Sequence, residues 1–157
     1  MKRGEVWTAA SGADYAGKPR PVVIVQDDRF DATSSITICA FTSDPTDAPL
    51  FRIAVEPSDT NGLETASRLM VDKITTMQKP KLGTRIGRLA DDDMLRLNRN
   101  ERYLREMLGA ITDRYGSQLT WNALAKELSI DHPKTIADYV GILERMDAVV
   151  VVPALSE

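Results

Sequence analysis

The stretch "GKPRPVVIVQDD", residues 17–28, contains the signal that decides the fold. Its centre is the run VVIV at 22–25, four apolar residues without a polar break. Short runs of β-branched residues bounded by turn formers are typical of strands buried on both faces. At the start of the run, Arg20 stands between Pro19 and Pro21. Because proline fixes its own φ and restricts the preceding residue, this bracket presets the backbone from which the Arg20 side chain leaves.

Residues 1–90 contain further short runs with strand character. These runs are "EVWTAA", "SITICAFTS", "LFRIAVE" and "SRLMVDKITTM". Turn-rich pieces such as "SDPTDAP" separate them. Several short strands at close spacing predict a small barrel or a sandwich.

Residues 91–157 have a helical pattern instead. The acids at 91–93 favour the positive end of a helix, and "ERYLREMLGAIT" continues with apolar residues at helical spacing. Thr120 is a candidate cap for "WNALAKELS", and Pro133 suits the first turn of another helix. The apolar "AVVVVP" predicts a closing strand. This order is that of a winged helix-turn-helix, so we predict an α+β chain with a β domain at 1–98 and a winged-helix-like segment at 99–157.

Composition limits the class of protein. The 157 residues fit one domain or two small ones, and 43% hydrophobic with 27% charged residues is ordinary for a globular protein. No apolar run approaches the roughly 20 residues that span a bilayer. The start, "MKRGEVW", lacks the apolar core of a signal peptide. We therefore expect a cytoplasmic protein.

The chain is poor in metal ligands and in bulk positive charge. One cysteine and one histidine cannot form a His/Cys metal site, and we expect Cys39 to be a core residue. Residues 1–100 have no net charge and residues 101–157 carry the whole net charge of −3, so neither part is a basic arm for nucleic acid. We expect no cofactor and no metal. Any catalysis must use Arg, Lys, Asp, Glu, Ser or Thr.

Six motifs in a fixed order carry a resemblance to a known family. They are "KRGEVW", "GKPRPVVIVQ", "CAFTSD", "NGL", "SRLMVDKITT" and "KLGTRIGRL". Together they resemble the MazF/PemK family of toxin endoribonucleases from residue 2 to about residue 100. The resemblance implies a small SH3-like β-barrel that forms a homodimer and cleaves single-stranded RNA without a metal. It also implies a cognate antitoxin protein that binds across the dimer.

The C-terminal part departs from that family. Family members usually end in a short apolar helix. From about Glu101 this chain is similar instead to a winged-helix tail of the kind that follows AAA-type ATPase domains. The resemblance therefore implies a fusion of two segments and puts the usual packing of the dimer in doubt.

Metal-free RNA cleavage needs a base, a cation beside the phosphate and an acid for the leaving oxygen. Arg20 is the predicted cation, because its planar fork suits two phosphate oxygens. The resemblance also assigns this arginine to catalysis, sometimes as the acid, but a guanidinium gives up its proton reluctantly. Thr42 matches the family's threonine that hydrogen-bonds the scissile phosphate. Ser43 offers a second hydroxyl to the RNA.

Two aspartates are candidate bases, and the choice between them stays open. Asp72 interrupts an apolar strand and matches the acidic position of the family on that strand. Asp14 matches the acidic position of the loop before the arginine. Either carboxylate suits the role if burial or a neighbour raises its pKa toward neutrality.

Further candidate RNA contacts are Lys18, Lys73 and Arg68 by charge and Tyr15 by stacking on a base. Two departures from the family lie in this set of positions. Lys18 and Pro19 stand where some members have a histidine, and Thr75 stands where many have an arginine. The rate and the RNA sequence preference of the family therefore do not transfer to this chain.

Two other functions stay open. One is a non-enzymatic binding module, because the same barrel type also serves toxins that jam a topoisomerase. The other is a DNA-binding regulator whose barrel only dimerises. The predicted recognition helix at 133–146 is electrically neutral, which argues against DNA and favours a packing or protein-binding role.

Overall fold

The computed structural model describes residues 1–10, 19–46, 48, 50–114, 116–128, 130, 133–145 and 149–152. The chain divides into two compact units, Met1–Glu101 and Arg102–Glu157. The division falls inside the longest described helix, α1 (Asp91–Asp113).

The first unit is built on an antiparallel sheet. Its strands are β1 (Glu5–Ala9), β2 (Arg20–Ile24), β3 (Ser35–Thr42), β4 (Arg52–Val55), β5 (Ser67–Met70), β6 (Thr75–Gln78) and β7 (Leu82–Arg88). Their order is β4-β5-β3-β2-β1-β7, and β6 pairs with the first half of β3. The predicted small β structure is confirmed as an antiparallel sheet. It is not closed into a barrel, because among the described strands β4 and β7 end the order without pairing with each other.

One face of this sheet packs against the main core of the first unit. Alternate residues of each strand point to this face, and the first two turns of α1 cover it with Met94 and Leu97. Its members from the central strands include Val23, Cys39, Phe41 and Leu69, all 2% exposed or less. Burial of a side chain of this size stabilises the fold by about 1.5–3 kcal/mol.

The other face carries a second apolar cluster at one end. Val22 and Ile24 of β2 meet Ile36 and Ile38 of β3 there, and Trp7 packs against them. The run at 22–25 is thus buried on both faces, which confirms the prediction for the opening stretch. Cys39 is buried in the main core, as predicted, and burial raises the pKa of its thiol to about 12.

The "NGL" motif forms a tight turn against β7. Gly62 has a φ of +68°, and a Cβ there would lie 2.1 Å from the carbonyl oxygen of Ile86. The side chain of Asn61 is bonded inside the turn, accepting from Leu63 N at 3.0 Å and donating to Glu56 O at 2.8 Å. Glycine is therefore required here both by its backbone conformation and by the close approach of β7.

The second unit contains the end of α1, then α2 (Trp121–Glu127) and α3 (Pro133–Arg145). Thr120 caps α2, its Oγ1 accepting from Ala123 N at 3.2 Å, so the predicted helices and this cap are confirmed. The predicted closing strand is wrong for residues 149–152, which have no regular structure and leave Val150 and Val152 exposed. An apolar run becomes a strand only where a neighbour takes its backbone hydrogen bonds. None of the helices in the described ranges combines the length and the apolar character needed to cross a bilayer.

Candidate active site

A polar row crosses three neighbouring strands at one end of the sheet. The antiparallel register pairs Val22 of β2 with Ala40 of β3. Arg20 lies two residues before Val22 in β2 and Thr42 lies two residues after Ala40 in β3, so both stand at the same end of these strands, just beyond the last pair of their ladder. On its other side Thr42 pairs with Arg68 of β5. Because Cβ atoms of directly opposite residues lie about 4.5–5.5 Å apart, Thr42 is adjacent to Arg68, and Arg20 stands at the same end of the strand on the other side.

The three side chains share the face that looks away from the main core. Phe41 and Leu69, which precede Thr42 and follow Arg68, belong to the main core, and alternate residues of a strand point to opposite faces. Arg20 shares a face with Val22, which belongs to the second cluster. Arg20, Thr42 and Arg68 are all half-buried. We call this set the arginine–threonine row.

A hydrogen-bonded turn after β3 holds two members of the row. The Oγ1 of Thr42 accepts from Asp44 N at 3.1 Å, so its own O–H remains to donate. The guanidinium of Arg68 donates to Asp44 O at 3.1 Å. The carboxylate of Asp44 accepts from Thr46 N at 2.9 Å and from Thr46 Oγ1 at 2.6 Å. These bonds from Thr46, followed by the charges of Arg52 and Arg68, lower the pKa of Asp44.

Asp72 lies in a setting that the sequence did not predict. It belongs to a 3₁₀ turn, Val71–Lys73, between β5 and β6, so its placement inside a strand was wrong. Its side chain is 3% exposed and forms an ion pair with Arg52 of β4, whose Nη2 is 3.2 Å from Oδ2 and whose Nη1 bonds Oδ1. Both carboxylate oxygens of Asp72 therefore accept hydrogen bonds from one guanidinium.

Arg52 is the polar residue that sequence reasoning missed. The available signal was the alternation in "LFRIAVE", which places Arg52 on the face opposite to Ile53. Its partner is 20 residues away in the chain, and their meeting depends on the 3₁₀ turn.

The remaining predicted residues are distributed as follows. Ser43 directly follows Thr42 and is exposed, and Lys73 is exposed on the 3₁₀ turn beside Asp72. Asp14, Tyr15 and Lys18 lie outside the described residues. The structure thus brings Arg20, Thr42, Ser43 and Arg68 to one end of the sheet.

The row has the donor set of an anion site. A guanidinium fork is able to donate two parallel N–H groups to phosphate oxygens, and the hydroxyl of Thr42 is a neutral donor beside Arg68. Within the described ranges, no three His, Cys, Asp or Glu side chains gather closely enough to hold a metal ion. Arginine and hydroxyl donors of this kind suit electrostatic stabilisation of a phosphate.

Comparison with known proteins gives relatives for the first two thirds of the chain. A family model described as PemK-like, MazF-like toxin of type II toxin-antitoxin system matches residues 2–107. A protein of Mycolicibacterium smegmatis named probable endoribonuclease MazF is 56% identical over 99 residues, which are 63% of this chain and 91% of that protein.

Solved structures resemble the same part. An endoribonuclease in complex with its cognate antitoxin from a mycobacterial species aligns with a TM-score of 0.53 and 25% identity, over 64% of this chain and 90% of that one. A chain of a MazE-MazF structure from Deinococcus radiodurans aligns with a TM-score of 0.56 and 14% identity, over 67% of this chain and 95% of that one. The second likeness concerns the fold alone.

Proposed function

We propose that this chain is an endoribonuclease for single-stranded RNA. The chain belongs to the family of PemK-like, MazF-like toxins of type II toxin-antitoxin systems. The observation that carries the proposal is the arginine–threonine row, in which Thr42 pairs with Arg68 and Arg20 stands at the same end of the neighbouring strand. The similarity to a protein named endoribonuclease supports it. The proposed reaction uses no metal and takes place at short RNA sequences.

In the proposed reaction the 2′-oxygen of a ribose attacks the adjacent phosphorus. The bond from phosphorus to the 5′-oxygen breaks, and the proton of the 2′-hydroxyl goes to a base while an acid protonates the leaving oxygen. Negative charge grows on the two non-bridging oxygens. Arg20 and Arg68 stabilise that charge, and Thr42 donates its O–H to the same phosphate, because its oxygen is oriented by Asp44 N.

The base remains a prediction of the sequence, with Asp14 and Asp72 as its two candidates. The ion pair with Arg52 is a reason to test Asp72 separately. Ser43, Lys18, Lys73 and Tyr15 stay predicted RNA contacts outside the row.

The proposed partners follow from the same family. We propose a homodimer and a cognate antitoxin protein, since a solved relative is an endoribonuclease in complex with its antitoxin. A cytoplasmic location stays part of this proposal. We also propose that the open sheet is a form of the SH3-like barrel. Residues 99–157 are in this view a separate helix-turn-helix segment of the winged-helix type, supported by the capped α2 and by α3 starting at Pro133.

The test is cleavage of a mixed-sequence RNA in excess EDTA. We expect the wild-type protein to cut this RNA and Arg20→Ala to lower the rate about 10²–10³-fold, as for loss of one donor to a developing oxyanion. Arg29→Ala is the control. Arg29 is an exposed arginine of the 3₁₀ turn Asp28–Phe30, which follows the end of β2 away from the row, and it is paired with Asp27. Intact RNA with the folded wild-type protein would refute the proposal. A salt-dependent shift of duplex DNA would then favour a DNA-binding regulator.

A further inference from the structure

A buried ion pair between Arg52 and Asp72 lies close to the arginine–threonine row. The two side chains are 15% and 3% exposed. Besides its two bonds to the carboxylate, Arg52 donates from Nη1 to Phe51 O at 2.9 Å. Among the described residues these bonds use three of the five N–H groups of the guanidinium, so that two are left for another acceptor.

The register of β4 and β5 places Arg52 beside the row. Ala54 pairs with Arg68. Arg52, two residues before Ala54 in β4, shares its face and pairs with Met70. Arg52 and Arg68 are therefore diagonal neighbours on the face that carries Thr42, within reach of each other's long side chains.

The turn after Thr42 lies within reach of the positive charges of Arg52 and Arg68. The pKa of Asp44 is lowered first by hydrogen bonds from Thr46 and then by the positive charges of Arg52 and Arg68. An anion at this end of the sheet would meet the same two arginines. Three guanidinium groups, on Arg20, Arg52 and Arg68, thus lie at this end of the sheet together with the carboxylates of Asp44 and Asp72.

Stability alone does not account for this pair. Burial strips water from both charges, and apolar residues of similar volume often serve a fold equally well. A bidentate arginine–carboxylate pair does supply direction, because two parallel N–H···O bonds fix the plane of the guanidinium. An arginine fixed in this way loses less conformational entropy when it binds a phosphate.

We propose that Arg52 is a third RNA-binding arginine of the site, contacting a backbone phosphate next to the one held at Thr42. Asp72 is the positioning residue that holds Arg52 in place. The inference rests on the proposed ribonuclease function. Under this inference Asp72 acts by orienting the guanidinium of Arg52 and does not act as the proton acceptor of the reaction.

The first test measures phosphate contacts by salt dependence. The probe is a single-stranded mixed-sequence RNA with 2′-O-methyl groups, which lacks the attacking hydroxyl and stays uncut. The double variant Arg52→Met with Asp72→Leu removes the cation without leaving a lone buried charge. We expect weaker binding and a slope of log K against log salt that is smaller by about 0.7, the value for one phosphate contact on a single strand.

A matched control comes from a similar pair on the surface. Arg29 donates to both carboxylate oxygens of Asp27 at 3.0 Å, and its side chain is 82% exposed. We expect the variant Arg29→Gln with Asp27→Asn to keep the wild-type slope. An unchanged slope in the folded Arg52→Met, Asp72→Leu variant would overturn the inference.

The second test separates positioning from proton transfer. With Asp72→Asn we expect a higher KM for cleavable RNA, a kcat within a few-fold of wild type and an unchanged acidic limb of the pH–rate profile. Arg52→Lys, which keeps the charge and loses the fork, raises KM in the same way. Loss of kcat at saturating RNA together with loss of the acidic limb would make Asp72 the base and overturn the inference.

Two further readouts keep the outcomes distinct. Should Asp72→Asn fail to fold, the Arg52→Met, Asp72→Leu variant answers the same question: retained kcat supports positioning, and abolished turnover overturns it. If wild-type protein leaves RNA intact, the ribonuclease function itself fails. If wild-type protein cuts RNA while the slope is insensitive to Arg52, only this inference fails.

Discussion

The two faces of β3 differ in what they contribute to the molecule. Cys39 and Phe41 point into the main core and are almost fully buried. On the opposite face Ile36 and Ile38 join a second apolar cluster, and the face turns polar at Thr42. Substitutions one residue apart on this strand are therefore expected to have different consequences. Those on the core face should lower the stability of the fold, and those at the polar end of the other face should lower the rate of RNA cleavage.

The polar end of that face is organised by hydrogen bonds. Thr42, Arg68 and Arg52 each bond to a backbone group or a carboxylate that fixes their direction. The core face is held by shape and by exclusion of water. The polar groups at this end are thus held by individual hydrogen bonds, while the groups of the core face are enclosed on all sides.

The largest expected effect comes from emptying the core face. Phe41→Ala leaves a cavity beneath the sheet and lowers the free energy of unfolding by about 3–5 kcal/mol. Thr42→Val, one residue along, lowers it by about 1 kcal/mol or less, since it removes a half-buried hydroxyl that accepts one bond. Urea unfolding followed by circular dichroism measures both. Equal losses in the two variants would contradict the division between the faces.

The sequence predicts the core face well and the site only in part. The apolar run at 22–25 identifies β2 because burial on both faces needs such a run. The row itself depends on register: that Thr42 meets Arg68 is decided by the pairing of β3 with β5, which no local pattern specifies. The prediction of a closing strand was wrong at 149–152, because the β propensity of a residue does not indicate whether a partner strand is present. Arg52 was missed for the same reason, since its contact with Asp72 depends on the 3₁₀ turn Val71–Lys73.

The next effect concerns the chemistry of Thr42 itself. We expect Thr42→Val to lower kcat for RNA cleavage about 10²-fold, because it removes a donor to the phosphate while keeping the volume. Thr42→Ser keeps the hydroxyl and is expected to retain most of kcat. Single-turnover cleavage with RNA bound in advance measures the chemical step. A Thr42→Val enzyme with wild-type kcat would remove Thr42 from the site.

A smaller effect is expected from the turn that holds the row. The pKa of Asp44 is lowered from its usual value of 3.8 mainly by hydrogen bonds from Thr46. A carboxylate with a lowered pKa in the folded state stabilises that state above its usual pKa, and this contribution is lost as pH falls through the folded value. We therefore expect the Thr46 amide resonance to titrate with a midpoint below 3.8, and Thr46→Val to raise that midpoint. Asp44→Asn keeps an acceptor for Thr46 and is expected to cut RNA better than Asp44→Ala, whereas equal activity would show that the turn does not position Thr42 and Arg68.

The smallest expected effect concerns alkylation of the Cys39 thiol, which we expect not to occur in the native protein. It tests whether the core face opens independently of the polar end of the sheet. The thiol is inaccessible, donates to Met70 O at 3.4 Å and has its pKa raised by burial to about 12. Iodoacetamide at pH 8 is therefore expected to leave the native protein unlabelled and to label the protein unfolded in urea. Because Cys39 is the one cysteine in the sequence, any thiol label reports this site. Labelling of the native protein proceeds through opening of the sheet. Phe41→Ala, which weakens the core face, is therefore expected to accelerate labelling far more than Thr42→Val. If both variants are labelled at the same raised rate, the polar end of the sheet and its core open together, and the effects of site substitutions on activity have to be corrected for loss of folded protein.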